Sequence, residues 1–149
     1  SFDINDVYHW ILHEPHFGRQ AVALSGVNVA ADVPAAIAAL PAMRAKGVQI
    51  IAPPTWALVT LDAQGSIVAS DYAKAARQQG FDIISWTLER SGPLTDGGGY
   101  YFQSIASAVK GPGDYYRLLD VLDRDVGIIG IFSDWPATVS YYASCMGKR

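Results

Sequence analysis

The stretch Gly127-Ile128-Ile129-Gly130-Ile131-Phe132-Ser133-Asp134-Trp135-Pro136 decides how this chain is read. An apolar run rich in isoleucine stops abruptly at Ser133-Asp134-Trp135-Pro136. Such a run is the pattern of a strand covered on both faces, as in a parallel sheet flanked by helices. Its polar residues then fall at the carboxyl end of a strand, where α/β folds place their chemistry. Pro136 suits the first turn of a last helix, expected to run to about Met146.

Working outward, the same strand-then-helix unit recurs three times upstream. A strand over Gln20 to Val27 is followed by Asp32 and Val33-Pro34, a cap and a first-turn proline. The helix they open runs to about Lys46, with Ile37, Leu40 and Met43 on one face. Pro41 is expected to bend or divide it, and Gly47 to stop it. A second strand, Val48 to Ala52, ends at Pro53-Pro54, and the loop through Trp56 and Leu58 to Gly65 has room for a short hairpin. Ser70 or a neighbour starts a helix over Asp71 to Gln79, and Gly80 ends it. The third strand is Phe81 to Leu88. By alternation Ile84, Trp86 and Leu88 share one face, and Ile83, Ser85 and Thr87 the other. A glycine- and aromatic-rich segment follows, with an insertion at residues 90–111. A helix from Asp114 to about Asp123 then leads into the fourth strand, Val126 to Phe132.

Strands alternating with helices predict a parallel sheet with right-handed crossovers. Ser25-Gly26-Val27-Asn28 after the first strand is no phosphate fingerprint, which disfavours a doubly wound nucleotide fold. Short, glycine-marked helix-to-strand joins beside long strand-to-helix loops fit half of a (β/α)8 barrel. The fold class expected is therefore α/β, four consecutive βα units spanning 1–149. Net charge is −3 and charged residues make up 17% of the chain. Nothing in that balance points to a nucleic-acid surface or a polybasic membrane patch. No apolar run approaches the length of a transmembrane helix. The single cysteine, Cys145, excludes an internal disulfide and is expected half-buried on the last helix.

Ile83-Ile84-Ser85-Trp86-Thr87-Leu88, taken with Ile128-Ile129-Gly130-Ile131-Phe132-Ser133-Asp134-Trp135-Pro136, resembles the glycerophosphodiester phosphodiesterase family. In that family the penultimate barrel strand carries a V-W-T-V/L core and the last strand reads roughly G-I-I-T-D-x-P. A helix like Tyr72-Ala73-Lys74-Ala75-Ala76-Arg77-Gln78-Gln79-Gly80 precedes the tryptophan strand. The resemblance covers about Val68 to Gly147 and implies the carboxyl-terminal half of the barrel, strands five to eight. It implies hydrolysis of a glycerophosphodiester to glycerol 3-phosphate and an alcohol, with two histidines as base and acid. A divalent cation, Ca²⁺ or Mg²⁺, would offset charge on the phosphoryl oxygens. The family's His-Arg pair, Glu-x-Asp, second histidine and Glu-x-Lys all belong to the amino-terminal half, and none is found here. The chain alone is then expected to be inactive and to bind no metal with its own residues. Its expected partners are a missing amino-terminal half or a second copy, and a periplasmic or secreted location is favoured over a cytoplasmic one.

Two residues carry over by position. Trp86 matches the aromatic that walls the family's substrate pocket, although a tryptophan in an apolar strand also reads as core. Asp134 matches the aspartate closing the last strand, near the phosphate end, although it also reads as the cap of the last helix. Tyr100 and Tyr101, after Gly97-Gly98-Gly99, read as a mobile aromatic flap over the pocket, or else as an exposed excursion or a surface that packs on another subunit. Trp135 lines the mouth or packs outside, and Ser25 and Asn28 are weaker pocket candidates. His13-Glu14-Pro15-His16 reads as a surface turn, because Pro15 breaks any shared helical face. The alternative function is a non-catalytic α/β binding or scaffold domain.

Overall fold

A computed structural model describes residues 1–89 and 92–148. Four strands form one all-parallel sheet: β1 (Val22–Leu24), β2 (Ile50–Ala52), β5 (Asp82–Ser85) and β6 (Gly130–Ile131). They lie side by side in chain order, β1-β2-β5-β6. Between β2 and β5 the chain makes a helical turn, α4 (Thr55–Leu58), and an antiparallel hairpin of β3 (Val59–Leu61) and β4 (Ile67–Ala69). The Asp62 carboxylate closes that hairpin by accepting from the Gln64 and Ser66 amides, at 2.9 and 2.8 Å.

The other elements are α1 (Ile4–His13), α2 (Pro15–Gly18), α3 (Val33–Ala45), α5 (Asp71–Gln78), α6 (Asp114–Val121) and α7 (Pro136–Cys145). Helix α1 lies ahead of the first strand, where sequence patterning marked only the turn at His13–His16. Asp3 caps it by accepting from the Asn5 amide at 2.9 Å, and Val7 is buried beneath it. Ser70 caps α5, accepting from the Ala73 amide while donating to the Ala57 carbonyl at 2.6 Å. Asp32 occupies the cap position of α3, as expected, but its side chain makes no bond into the helix. Its carboxylate turns back to the Asn28 and Val29 amides, which hold its pKa below the usual range. Pro41 sits inside α3 without dividing it.

Alternation sorts the strands into two faces. Ala23, Ile51, Ile83 and Ser85 are buried on one, whereas Val22, Leu24, Ile50 and Ile84 on the other are only half-buried. The last strand departs from its expected cover. It is two residues long, stands at the edge of the sheet, and is flanked by Ile129 and Phe132, 59% and 55% exposed. An apolar run reports affinity for cover, and here the cover is partial: Ile128 and Ile131 pack against the core while Ile129 and Phe132 stand exposed. Leu88 also departs from the face assigned to it: β5 ends at Ser85, the backbone turns, and Leu88 is buried.

The segment expected as a flap or excursion belongs instead to the core. Its first residues, Arg90 and Ser91, lie outside the described residues, but Leu94, Phe102, Ile105 and Val109 are buried. Its glycines make the close packing possible. Gly98 has φ +79°, and a Cβ there would meet the Phe102 ring at 2.8 Å. A second obligatory glycine precedes β6. Gly127 (φ +71°) follows a π-turn over Leu122–Val126, and a Cβ there would collide with Arg77, whose guanidinium donates to the Val126 carbonyl at 3.1 Å. No described helix is long and apolar enough to cross a membrane.

Candidate functional site at the carboxyl ends of the strands

Glu89 organises the rim beyond β5 and β6. It is only 6% exposed, and its carboxylate accepts from neutral donors on both strand ends. The Thr87 and Ser133 hydroxyls each donate at 2.6 Å, and the Trp135 amide donates at 3.1 Å. Burial would push the Glu89 carboxyl up. The Ser133 and Thr87 hydroxyls and the Asp134 and Trp135 amides outweigh it and bring its pKa down to about 2. A buried carboxylate with its oxygens satisfied is rigid, and this one fixes the Ser133-Asp134-Trp135 loop against the end of β5.

A second polar chain ties β2 to β5. The buried Thr55 hydroxyl donates to the Thr87 carbonyl at 3.1 Å, so the Ser85 hydroxyl, 3.0 Å away, must donate to Thr55. The Thr55 amide donates to the Trp86 carbonyl at 2.8 Å. The Trp86 indole N–H donates to the Ala52 carbonyl at 2.7 Å, which pins the ring across the end of β2. Phe2 and Tyr101 meet that ring nearly edge to face, each 6.0 Å away, at 86° and 77°.

The structure brings three of the four predicted site residues together. Trp86 and Asp134 line one open cleft with Phe2, Leu24, Thr87 and Phe132, and Tyr101 packs on Trp86 behind them. Tyr100 faces Trp56 and Tyr101, at 6.2 and 5.1 Å, and is not among the residues lining the cleft. Asp134 does not cap α7. Trp135 occupies the cap position, and among the described residues the Asp134 carboxylate makes no hydrogen bond or ion pair. Trp135 itself is exposed, tethered through its amide.

Ser25 lines a separate cleft beside β1 with Asp32, Met43 and Tyr72, while Asn28 bonds locally to the Gly26 carbonyl at 2.9 Å. His13 and His16 fall on different helices; His13 instead stacks on His9, 4.5 Å between ring centres. Cys145 is exposed rather than half-buried, because α7 turns Tyr142 inward in its place. Among the described residues no group of three His, Cys, Asp or Glu side chains is placed to hold a metal ion. Glu89 is engaged by neutral donors and Asp134 stands alone, so these carboxylates do not fit a metal centre.

Glu89 and Thr55 are the residues that sequence patterning missed. Glu89 lies 44 residues from Ser133, and no spacing rule links a glutamate after one strand to a serine after another. The available signal was chemical: hydroxyl residues at two strand ends, Thr87 and Ser133, with one acidic residue nearby.

No protein-family model matches the chain. It is similar to a protein of Arthroderma benhamiae described as "Extracellular protein", at 46% identity over 149 residues, which covers 97% of this chain. The chain spans about 61% of the length of that relative.

Proposed function

We propose that this chain is the carboxyl-terminal half of a (β/α)8 barrel in a glycerophosphodiester phosphodiesterase. The whole enzyme would release glycerol 3-phosphate and an alcohol. The observation that carries this reading is the meeting of Trp86 and Asp134, 48 positions apart in sequence, on one cleft at the carboxyl ends of β5 and β6. Four parallel strands in chain order and a half-covered sheet face support it. The rest of the barrel would cover Leu24, Ile84 and Phe132.

In this reading the chain supplies a wall of the substrate pocket and holds it rigid through Glu89. General acid, general base and a divalent cation, Ca²⁺ or Mg²⁺, would be supplied by residues outside it. The name of the Arthroderma relative supports action outside the cell. The test is hydrolysis of glycerophosphocholine with Ca²⁺ or Mg²⁺ by the full-length relative and by this chain alone. Turnover by the relative and none by the chain is expected. No turnover of any glycerophosphodiester by the relative would overturn the reading in favour of a binding domain. Turnover by this chain alone would show that the acid and base lie within it.

A further inference from the structure

We infer that His9 and His13 form a two-histidine site on the exposed side of α1 for a late first-row divalent cation, Cu²⁺ first and then Ni²⁺ or Zn²⁺. The site goes beyond the hydrolase reading and does not rest on it, for neither histidine lines the cleft of Trp86 and Asp134.

His9-Trp10-Ile11-Leu12-His13 places the two imidazoles four residues apart within one helix, Ile4–His13. That is little more than one turn, so the side chains stand one above the other on the same stripe. Trp10 and Ile11 between them pack on the core, while both histidines are exposed. Their ring centres lie 4.5 Å apart with the planes at 41°. Among the described residues neither ring makes a hydrogen bond or ion pair, so its nitrogens are open to a ligand. An ion about 2.1 Å from each nitrogen needs the two nitrogens roughly 3–3.5 Å apart. Exposed rings at this separation reach that by turning about their Cβ–Cγ bonds.

The surrounding charge favours a cation. His13 ends the helix, where unpaired carbonyls leave a partial negative charge. Asp6, one turn ahead of His9, accepts from the Ser1 hydroxyl at 2.8 Å and adds a carboxylate to the same stripe. Lys46, packed against this helix, is drawn over the Tyr8 ring at 4.4 Å. His16 stays outside the site: it belongs to α2, and its Nδ1 faces the Arg19 guanidinium at 3.4 Å.

The donor set selects the ion. Imidazole nitrogen suits Cu²⁺, Ni²⁺ and Zn²⁺, whereas Ca²⁺ and Mg²⁺ take oxygen ligands. Among the described residues no third His, Cys, Asp or Glu completes the set, so water fills the remaining positions. A zinc-hydrolase helix of the His-Glu-x-x-His kind carries a glutamate after its first histidine. Here Trp10 stands in that place, so the pair supplies binding without a general base. The bound ion would staple the last turn of α1, the helix that buries Val7.

The experiment is calorimetric titration of Cu²⁺, Ni²⁺, Zn²⁺, Ca²⁺ and Mg²⁺ into the untagged chain carrying Cys145→Ser, which removes the exposed thiol as a competing ligand. One Cu²⁺ per chain should bind, at least about tenfold tighter than Ni²⁺ or Zn²⁺, and Ca²⁺ and Mg²⁺ should not bind. His9→Ala and His13→Ala should each weaken Cu²⁺ at least about tenfold, and His16→Ala should leave it unchanged. All three positions are exposed, so the variants read ligation and not folding. Unchanged Cu²⁺ affinity in His9→Ala or His13→Ala would overturn the inference. So would an equal loss in His16→Ala, or Ca²⁺ binding as tightly as Cu²⁺. The readout is independent of turnover: a relative that hydrolyses nothing removes the hydrolase reading and leaves this site standing, and loss of this site leaves that reading untouched.

Discussion

Two carboxylate clusters hold this molecule together by opposite means. At the strand ends, Glu89 is buried and surrounded by neutral donors from Thr87, Ser133, Asp134 and Trp135. Between α6 and α7, Asp120 and Asp123 share the Tyr142 hydroxyl at 3.1 and 3.2 Å, and pair with Arg124 at 2.7 Å and Lys148 at 2.9 Å. Both basic side chains are more than half exposed. Charges paired near water gain little, because solvent and salt screen them. A buried carboxylate satisfied by dipoles is insensitive to salt and costly to disturb, because donors with no second acceptor are left unpaired. The first cluster therefore sets geometry at the candidate site, while the second is a replaceable surface tie.

The hardest blow to that contrast is Glu89→Ala, which strands the Ser133 hydroxyl and the Asp134 and Trp135 amides, while the Thr87 hydroxyl can turn to the Phe132 carbonyl 3.0 Å away. It should cost on the order of 3 kcal/mol in urea unfolding, and a loss under about 1 kcal/mol would show that Glu89 is not the organiser. Acid should act on the same group. The Glu89 carboxyl lies near 4.5 when unfolded and is held at about 2 in the fold. Its stabilisation is thus complete above pH 4.5 and lost as pH falls from 4.5 towards 2. Melting curves of Glu89→Gln should lose that acid limb.

Thr55→Val tests the neighbouring relay by leaving the Ser85 hydroxyl and the Thr87 carbonyl unpaired in the core. A loss of about 1–2 kcal/mol is expected in the same unfolding assay. Tyr142→Phe, in the other cluster, should cost about 1 kcal/mol. Burial, then the Asp120 and Asp123 carboxylates, push the Tyr142 hydroxyl up to about 12. Its contribution should therefore persist below pH 10 and fade as pH rises from 10 to 12, which alkaline melts of wild type and variant can read. Smallest of all, Lys148→Ala should change stability by less than about 0.5 kcal/mol, with no difference left at high salt. A salt-resistant loss there would erase the contrast between the clusters.

Much of the scaffold was legible because the deciding forces are local. Gly47 and Gly80 end α3 and α5 with φ of +92° and +75°, and Ser70 caps α5 through its own side chain. The strand-end positions of Trp86 and Asp134 were legible because both follow an apolar run, but their candidacy as site residues came only from the resemblance to the glycerophosphodiester phosphodiesterase family. Other features were not legible. Asp32 and Asp134 look like helix caps, but each capping residue competes with nearby alternatives of similar energy, and packing chooses among them. The Gly97-Gly98-Gly99 segment looks mobile in sequence, yet it carries Phe102, Ile105 and Val109 into the core.

By itself, then, the sequence determined the order of the four parallel strands and of the helices that follow them, two glycine stops, and the strand ends where polar residues gather. Those properties depend on φ preferences and on the periodicity of neighbouring side chains. Only the tertiary structure decided that Glu89 meets Ser133 across 44 residues, that Trp86 and Asp134 line one cleft, and that β6 lies half-covered at the sheet edge. The physical reason is that hydrogen-bond satisfaction and burial belong to pairs of distant segments, and no single segment encodes its partner.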